Sequence, residues 1–587
     1  VGQCDGYAAF AAALASGGTW AGVPLDRAVG SPLAVDVLRT CDADITAGAK
    51  VTSKYNGIAG SHLGQYDPVY GGYSYYVPLI YAKRTTGTGG EYNAWVYIQN
   101  GGLECSSIEI WLKKQDDCLR AQICELSTLA PGETYQFDPS TCVGAGWLGS
   151  LWIRTSQPMG IAVDIWGNDI LMTYVGEPAE LNYTFDPGMA ESTPGNQVAF
   201  GPLVYSEYQG WDSAVQVQNL SPVLNAKVKV YFLDRSGDVI TTLVDWICPR
   251  GSQTFFLPIV AALPGDWVGS VRVESQEWLT PGGPRVFPPN IVAVATLIKY
   301  ADAQRTATRE AIAYNLLPEH KIFDWQIGGD GGGGLESGVG LIAIPSLLSD
   351  ACVTHLTTEL AIANVVPKPG FTDFVIYIYD QNGLLDYVCQ KLNEKQVEYI
   401  DLNSWGFINN GFKGSAIISA FFWEHDVFAD DGRFLRNLVG LGAVSIERTR
   451  AALGVDEPGD EAAGSRGIPF KQSDVEDEEF AFTFLGEYPQ CPGLPDLRPE
   501  PGECPAEVTF ECTNCPVSIP DNSTVTALLD AKILGGCEVE DVDLLVDIAH
   551  TWDGDLVATL IAPDGTRIPL FTNICGSATC MENVPKA

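Results

Sequence analysis

The sequence predicts an all-β protein, a tandem array of β-sandwich domains of immunoglobulin-like or jelly-roll-like type with an incomplete sandwich at each end. Two observations predict it. Residues 211–275 break into runs of four to eight residues rich in Val, Ile, Tyr and Phe, bounded by Gly, Pro, Asp or Ser: WDSAVQVQNLSP, AKVKVYFLDRSGDVITTLV, CPRGSQTFFLP and GDWVGSVRVES. Such runs are the mark of short half-buried strands joined by tight turns. The second observation is an internal repeat. A strand-ending Asn, a turn Asp and a Gly-Ser pair recur as Asn100, Asp116 and Gly149; as Asn219, Asp234 and Gly269; and as Asn364, Asp380 and Gly414. Asn to Gly spans 149 − 100 = 49, 269 − 219 = 50 and 414 − 364 = 50 residues, and Asn to Asp spans 16, 15 and 16. Spacings held this closely point to one structural unit used three times, with insertions confined to loops.

Taken in order, residues 1–57 match the back half of the repeat: TWAGVPLDRAVGSPLAVDV parallels GWLGSLWIRTSQPMGIAVDI, and Ala34-Val35 and Tyr55-Asn56 parallel Ala293-Val294 and Tyr314-Asn315 at an offset of 259. The chain is therefore expected to open inside a sandwich whose first strands are absent. The apolar run Tyr7–Ala15 lacks the basic flank of a signal peptide and is too short to span a bilayer. Complete repeats are expected at 75–180, 198–315 and 339–449. A Gly-rich connector separates the last two at 316–338; its GGDGGGG run lacks the Lys-Ser/Thr of a phosphate loop. Residues 450–505 are acidic and Pro-rich, a composition that reads as linker. A further partial sandwich is expected at 506–587.

Charge and cysteine content narrow the function. Lys and Arg number 34 against 73 Asp and Glu, a net charge of −39. That balance repels nucleic acid and anionic membranes, so no nucleic-acid partner is expected; the shortness of Tyr7–Ala15 leaves no transmembrane segment expected. Sixteen cysteines without zinc-like spacing point to disulfides in an oxidising, extracellular compartment. Cys105, Cys118, Cys124 and Cys142 suffice for two bridges inside the first repeat. Cys352 and Cys389 are expected to pair inside the third. Cys248 has no partner in its own repeat, so it pairs across domains or stays free. Asn182, Asn219 and Asn522 stand in glycosylation-type sequons.

The C-terminal stretch carries SIPDNSTV, then DIAHTWDGDLVATLIAPDGTRIPL, with IPDN at Ile519–Asn522, a His-Thr-aromatic-x-Gly-Asp-Leu run at His550–Leu556 and Pro-Asp-Gly-Thr at Pro563–Thr566. These motifs resemble the P domain, or homo B domain, that follows the catalytic domain of proprotein convertases. The resemblance implies a jelly-roll-like sandwich. Asp521, Asp553 and Asp555 lie in its loop motifs and are candidate calcium ligands, because hard cations take carboxylate and loop-carbonyl oxygens; a turn-capping role competes for them. The repeats loosely resemble modules of secreted surface proteins of environmental bacteria.

No catalytic constellation is legible. The five histidines are scattered, and no segment resembles a subtilisin-like nucleophile. The sequence thus predicts a non-enzymatic extracellular or cell-surface structural protein, a fibre, filament or adhesin-like array that self-associates head to tail as a homopolymer by β-strand addition. The alternatives are a non-catalytic accessory region of a larger secreted protease or glycoside hydrolase, or a carbohydrate-binding module array.

Overall fold

A computed structural model describes most of residues 71–178, 197–318, 340–424 and 433–471, with short segments between 19 and 56 and between 518 and 586. The chain forms two compact units, Val1–Leu494 and Pro495–Ala587.

The first unit opens with two hairpins. Strand β1 (Thr19–Trp20) pairs with β2 (Val23–Pro24), and β3 (Asp36–Arg39) pairs with β4 (Ser53–Asn56), all antiparallel. Module 1 follows with β5 (Tyr73–Ala82), β6 (Arg84–Thr85), β7 (Glu91–Asn100), β8 (Ser106–Lys114), β9 (Ala121–Leu129), β10 (Thr134–Phe137), β11 (Trp147–Thr155), β12 (Met159–Gly167), β13 (Ile170–Val175) and β14 (Glu177–Pro178). Module 2 comprises β15 (Val198–Ser206), β16 (Trp211–Asn219), β17 (Ala226–Leu233), β18 (Val239–Ile247), β19 (Ser252–Phe256), β20 (Trp267–Gln276), the small hairpin β21 (Trp278–Leu279) and β22 (Arg285–Val286), then β23 (Ile291–Tyr300), β24 (Thr308–Asn315) and β25 (Leu317–Pro318). Module 3 comprises β26 (Gly340–Ser349), β27 (Leu356–Asn364), β28 (Gly370–Asp380), β29 (Gly383–Asn393), β30 (Val397–Asp401), β31 (Phe412–Glu424), β32 (Arg433–Leu435), β33 (Leu441–Thr449), β34 (Ala462–Arg466) and β35 (Ile468–Lys471).

The three modules share one topology of nine strands. A front sheet runs β14-β5-β11-β8-β9, β25-β15-β20-β17-β18 and β35-β26-β31-β28-β29; a back sheet runs β10-β7-β12-β13, β19-β16-β23-β24 and β30-β27-β33-β34. Alternate residues of the two sheets meet to form each core. In module 1 these include Val77, Ile110 and Ile153 from the front sheet and Val96, Val163 and Tyr174 from the back, all buried. This is the period-two pattern of sheets packed face to face.

The landmarks of the repeat have structural work. Asn100, Asn219 and Asn364 each end the second strand and are fully buried. The Asn219 amide donates to the carbonyls of Leu224, Ile247 and Cys248 and accepts from the Ser221 N–H. Asn100 makes the same clip with Glu104, Leu129 and Gly102, and Asn364 donates to Leu392 and Asn393. The Asn219 side chain of this sequon is fully buried and hydrogen-bonded inside the fold. Asn182 and Asn522 lie outside the described residues.

Asp234 and Asp380 cap the hairpin turns between third and fourth strands, accepting from the N–H groups of Ser236 and Asn382. Gly149, Gly269 and Gly414 sit where the sixth strand crosses the third. A Cβ at Gly269 would overlap the Leu233 carbonyl oxygen and the Trp267 ring, and one at Gly414 the Tyr379 carbonyl oxygen and the Phe412 ring. The first strand of each module bulges beside a proline, Pro78, Pro202 or Pro345, where its register slips; proline in a sheet belongs at such bulges because it cannot donate to the ladder. In modules 1 and 2 a buried tyrosine ties off the freed backbone. Tyr174 donates to the Leu79 carbonyl and accepts its N–H, and Tyr314 does the same at Leu203.

The expected linker at 450–505 starts too early, because β34 and β35 complete module 3. The sequence AAGSRGIPFK conceals them. Its Gly464 lies where module 2 approaches, and a Cβ there would press on Ile312.

The second unit contains the hairpin β37 (Val557–Ile561) with β38 (Arg567–Thr572), and β36 (Leu544–Val546) paired with β39 (Val584–Lys586). Asp521, Asp553 and Asp555 lie outside the described residues.

Candidate interaction surfaces

The recurring chemistry of this chain lies between modules. The front sheets of modules 1 and 2 each pack their outer face on the outer face of the next module's back sheet. At the module 1–2 junction Tyr76, Leu220 and Val292 form an apolar cluster backed by Trp152, and Val294, Ala311 and Ala313 of module 2 join the buried residues of module 1. The Tyr76 hydroxyl donates to the Leu220 carbonyl at 3.2 Å, the Gln218 amide donates to the Leu151 carbonyl at 3.2 Å, and the Arg250 guanidinium lies 3.2 Å from the Trp152 ring centre. At the module 2–3 junction Phe200 packs with Ala363 and Val397; Val444 and Ile446 join the core residues of module 2; and the Tyr399 hydroxyl donates to the Gly269 carbonyl at 3.2 Å. Burying a Val or Ile contributes about 1.5–3 kcal/mol, against about 1 kcal/mol for a hydrogen bond, so apolar burial dominates both junctions.

A partly buried ionic group accompanies the second junction. Arg448 of module 3 donates to the Tyr205 hydroxyl at 2.6 Å, pairs with Glu359 at 3.3 Å and lies 4.8 Å from the Trp211 ring centre. Burial disfavours its cation, but Tyr205, Glu359 and Glu310 outweigh that and raise its pKa. Burial pushes the Glu310 carboxyl up, opposed by Lys299 at 2.8 Å.

The eighth strands meet in a ring. Strand β13 lies against β24, β24 against β34, β34 against β4, and β4 against β13. Strands β3 and β4 thus stand where a fourth module would place its seventh and eighth. The register supports this, since Val37 pairs with Tyr55 as Ala295 pairs with Tyr314. The offset is 259 on the second strand and 258 on the first; Ala34 and Val35 themselves lie outside the described residues. Within the ring the Asn315 amide donates to the Val175 carbonyl at 2.8 Å and accepts its N–H at 3.1 Å. Arg466 lies 2.7 Å from Glu177, joining modules 3 and 1.

Covalent links follow the same plan. Cys124 bonds Cys142 inside module 1, whereas Cys118 bonds Cys248 of module 2, with Cα separations of 5.5 and 5.2 Å. The expected second bridge inside module 1 is thereby corrected, and Cys105 is an exposed free thiol. The bulging turn after β8 carries Cys118 towards the neighbouring module, a direction that spacing in the sequence does not encode. Cys389 is disulfide-bonded, and Cys352 lies outside the described residues.

Among the described residues no group of three or more His, Cys, Asp or Glu side chains is placed to hold a metal, and no helix is long and apolar enough to cross a membrane. The junction residues escape sequence reading by landmark, although one signal exists. The seventh strand of module 2, IVAVATLI, is apolar on both faces, as a strand covered on both sides must be.

No family model matches the sequence, and no curated protein matches it. Among solved structures, one described as the crystal structure of Thermotoga maritima 1070 is similar over 18% of this chain and 93% of its own, at 16% identity and a TM-score of 0.15. That likeness is too slight to carry an argument about fold or function.

Proposed function

We propose that the chain is an extracellular structural protein, a disulfide-stapled β-sandwich array that self-associates into a surface fibre or filament. The observation that supports it most is the use of the repeated residues: Asn, Asp, Gly and Tyr landmarks clip the modules, and the Cys118–Cys248 bridge fastens one module to the next. A scaffold of that kind has its chemistry in the joints. The experiment is light scattering with negative-stain microscopy across a wide concentration range. Concentration-dependent oligomers or fibres are expected, and a monomer at every concentration would defeat the assembly reading.

The P-domain resemblance favours a second reading, an accessory region of a larger secreted hydrolase. With it comes calcium, held by Asp521, Asp553 and Asp555. A chelator is expected to lower the Tm of the C-terminal unit, and Asp553→Asn to abolish that response. An unchanged Tm would leave these aspartates in a turn role.

A further inference from the structure

We propose that the outer face of module 1's back sheet, around Trp95, Tyr97 and Trp166, is a docking site for the front sheet of a fourth module, the one whose closing strands are β3 and β4.

Equivalent positions in the three modules carry the argument. The second strands align through Asn100, Asn219 and Asn364, and the seventh through their partners Met159, Ile291 and Leu441. Counting from these anchors, Ala162 corresponds to Val294 and Val444, and Gln99 to Gln218 and Ala363. Where a preceding module's front sheet lies on them, these positions close: Val294, Val444, Gln218 and Ala363 are all 0% exposed. In module 1 the same positions are open. Gln99 is exposed, Ala162 is half-buried, and Trp166, matching Ile298 and Arg448, is 47% exposed. Trp95 and Tyr97 beside them are half-buried.

The occupant follows from continuity with the two junctions already formed. In both, the covering surface is a front sheet, and an aromatic residue of its first strand, Tyr76 or Phe200, presses on the next module. The fourth position of the ring is held by β3 and β4, and β3 lies against β26 of module 3 as β23 lies against β5 and β33 against β15. The residues before β3 include Trp20-Ala-Gly22, whose sequence matches Trp147-Leu-Gly149 and Trp267-Val-Gly269 at the start of the sixth strand, although here Trp20 pairs with Val23 in the β1–β2 hairpin. A front sheet completing the module of β3 and β4 would fall on Trp95, Tyr97 and Trp166, as those of modules 1 and 2 fall on the modules after them. A second copy of the chain is a poor occupant, because its front sheets already face modules 2 and 3 and β3. An exposed Trp166 flanked by the half-buried Trp95 and Tyr97 is the partly open apolar surface that such an interaction would cover.

The test joins residues 197–266, the first five strands of module 2, ahead of Trp20 of the full chain, so that Trp20 takes the place of Trp267. Hydroxyl-radical labelling of Trp166 is expected to fall severalfold in the fused chain relative to the 587-residue chain. Trp166→Glu is expected to lower the Tm of the fused chain and to leave that of the unfused chain unchanged. Equal labelling in both chains, or equal effects of the substitution, would overturn the proposal. If the fused chain aggregates, labelling of the unfused monomer decides: a Trp166 already protected there has another cover and defeats the proposal, whereas a freely labelled one upholds the open face. The outcome is separable from fibre assembly, since a chain that never assembles can still protect Trp166 once fused.

Discussion

Asn219→Ala should destabilise module 2 by about 3 kcal/mol or more, a large effect for one polar side chain. The substitution removes a buried amide that serves three carbonyls and one N–H. Each buried partner left without a hydrogen bond costs about 1–3 kcal/mol, and the Ile247 carbonyl is buried away from solvent. Asn219→Asp should be no milder, because it keeps the acceptor for Ser221 but turns a lone carboxylate on the carbonyls of Leu224, Ile247 and Cys248. Denaturant unfolding followed by tryptophan fluorescence measures both. A loss below about 1 kcal/mol would mean the clip is dispensable. Secretion through a glycosylating host should leave Asn219 unmodified.

Replacing Cys118 and Cys248 together by Ser should cost more stability than replacing Cys124 and Cys142. The first bridge closes 130 residues and the second 18. Chain-entropy reasoning gives about 5 kcal/mol for the long loop and about 3 kcal/mol for the short one, as upper values. The long bridge also couples two modules, so its loss should split a shared unfolding transition into two. Calorimetry of the two double variants checks this; identical transitions in both would show that the inter-module bridge does not couple the modules. Maleimide should label Cys105 without reductant, and Cys118, Cys124, Cys142 and Cys248 only after reduction.

The sandwich units were legible because their landmarks obey local rules. A turn needs Asp234, a bulge tolerates Pro202, and a strand crossing needs Gly269, and each leaves a residue type at a fixed spacing. The junctions are less legible. Gln218 is polar and on the face away from its own core, so composition assigns it to water; it is buried because a neighbouring sheet lies over it. The strands β34 and β35 were hidden for a related reason. Close approach to module 2 selects the small residue at Gly464, and small residues beside an acidic stretch resemble a linker. The direction of Cys118 depends on how two modules meet, which one module's pattern does not contain. The calcium candidates rest on motif resemblance alone, and the second unit adds no geometry to them.

The ring of eighth strands has a consequence for how such a joint can diverge. Val175, Asn315 and Arg466 occupy one equivalent position in the three modules, beside Asn56 in β4. In an assembly of identical subunits one gene would supply every side chain at that position, and four arginines meeting about an axis would repel one another at close range. Covalent linkage of the modules lifts that constraint. One quarter of the axis can become cationic while another supplies the carboxylate of Glu177 to meet it, and Asn315 can pair with the backbone of a neighbour that is not its copy. A single chain therefore permits an asymmetric centre in a pseudo-symmetric body, and with it a fixed order of modules around the ring.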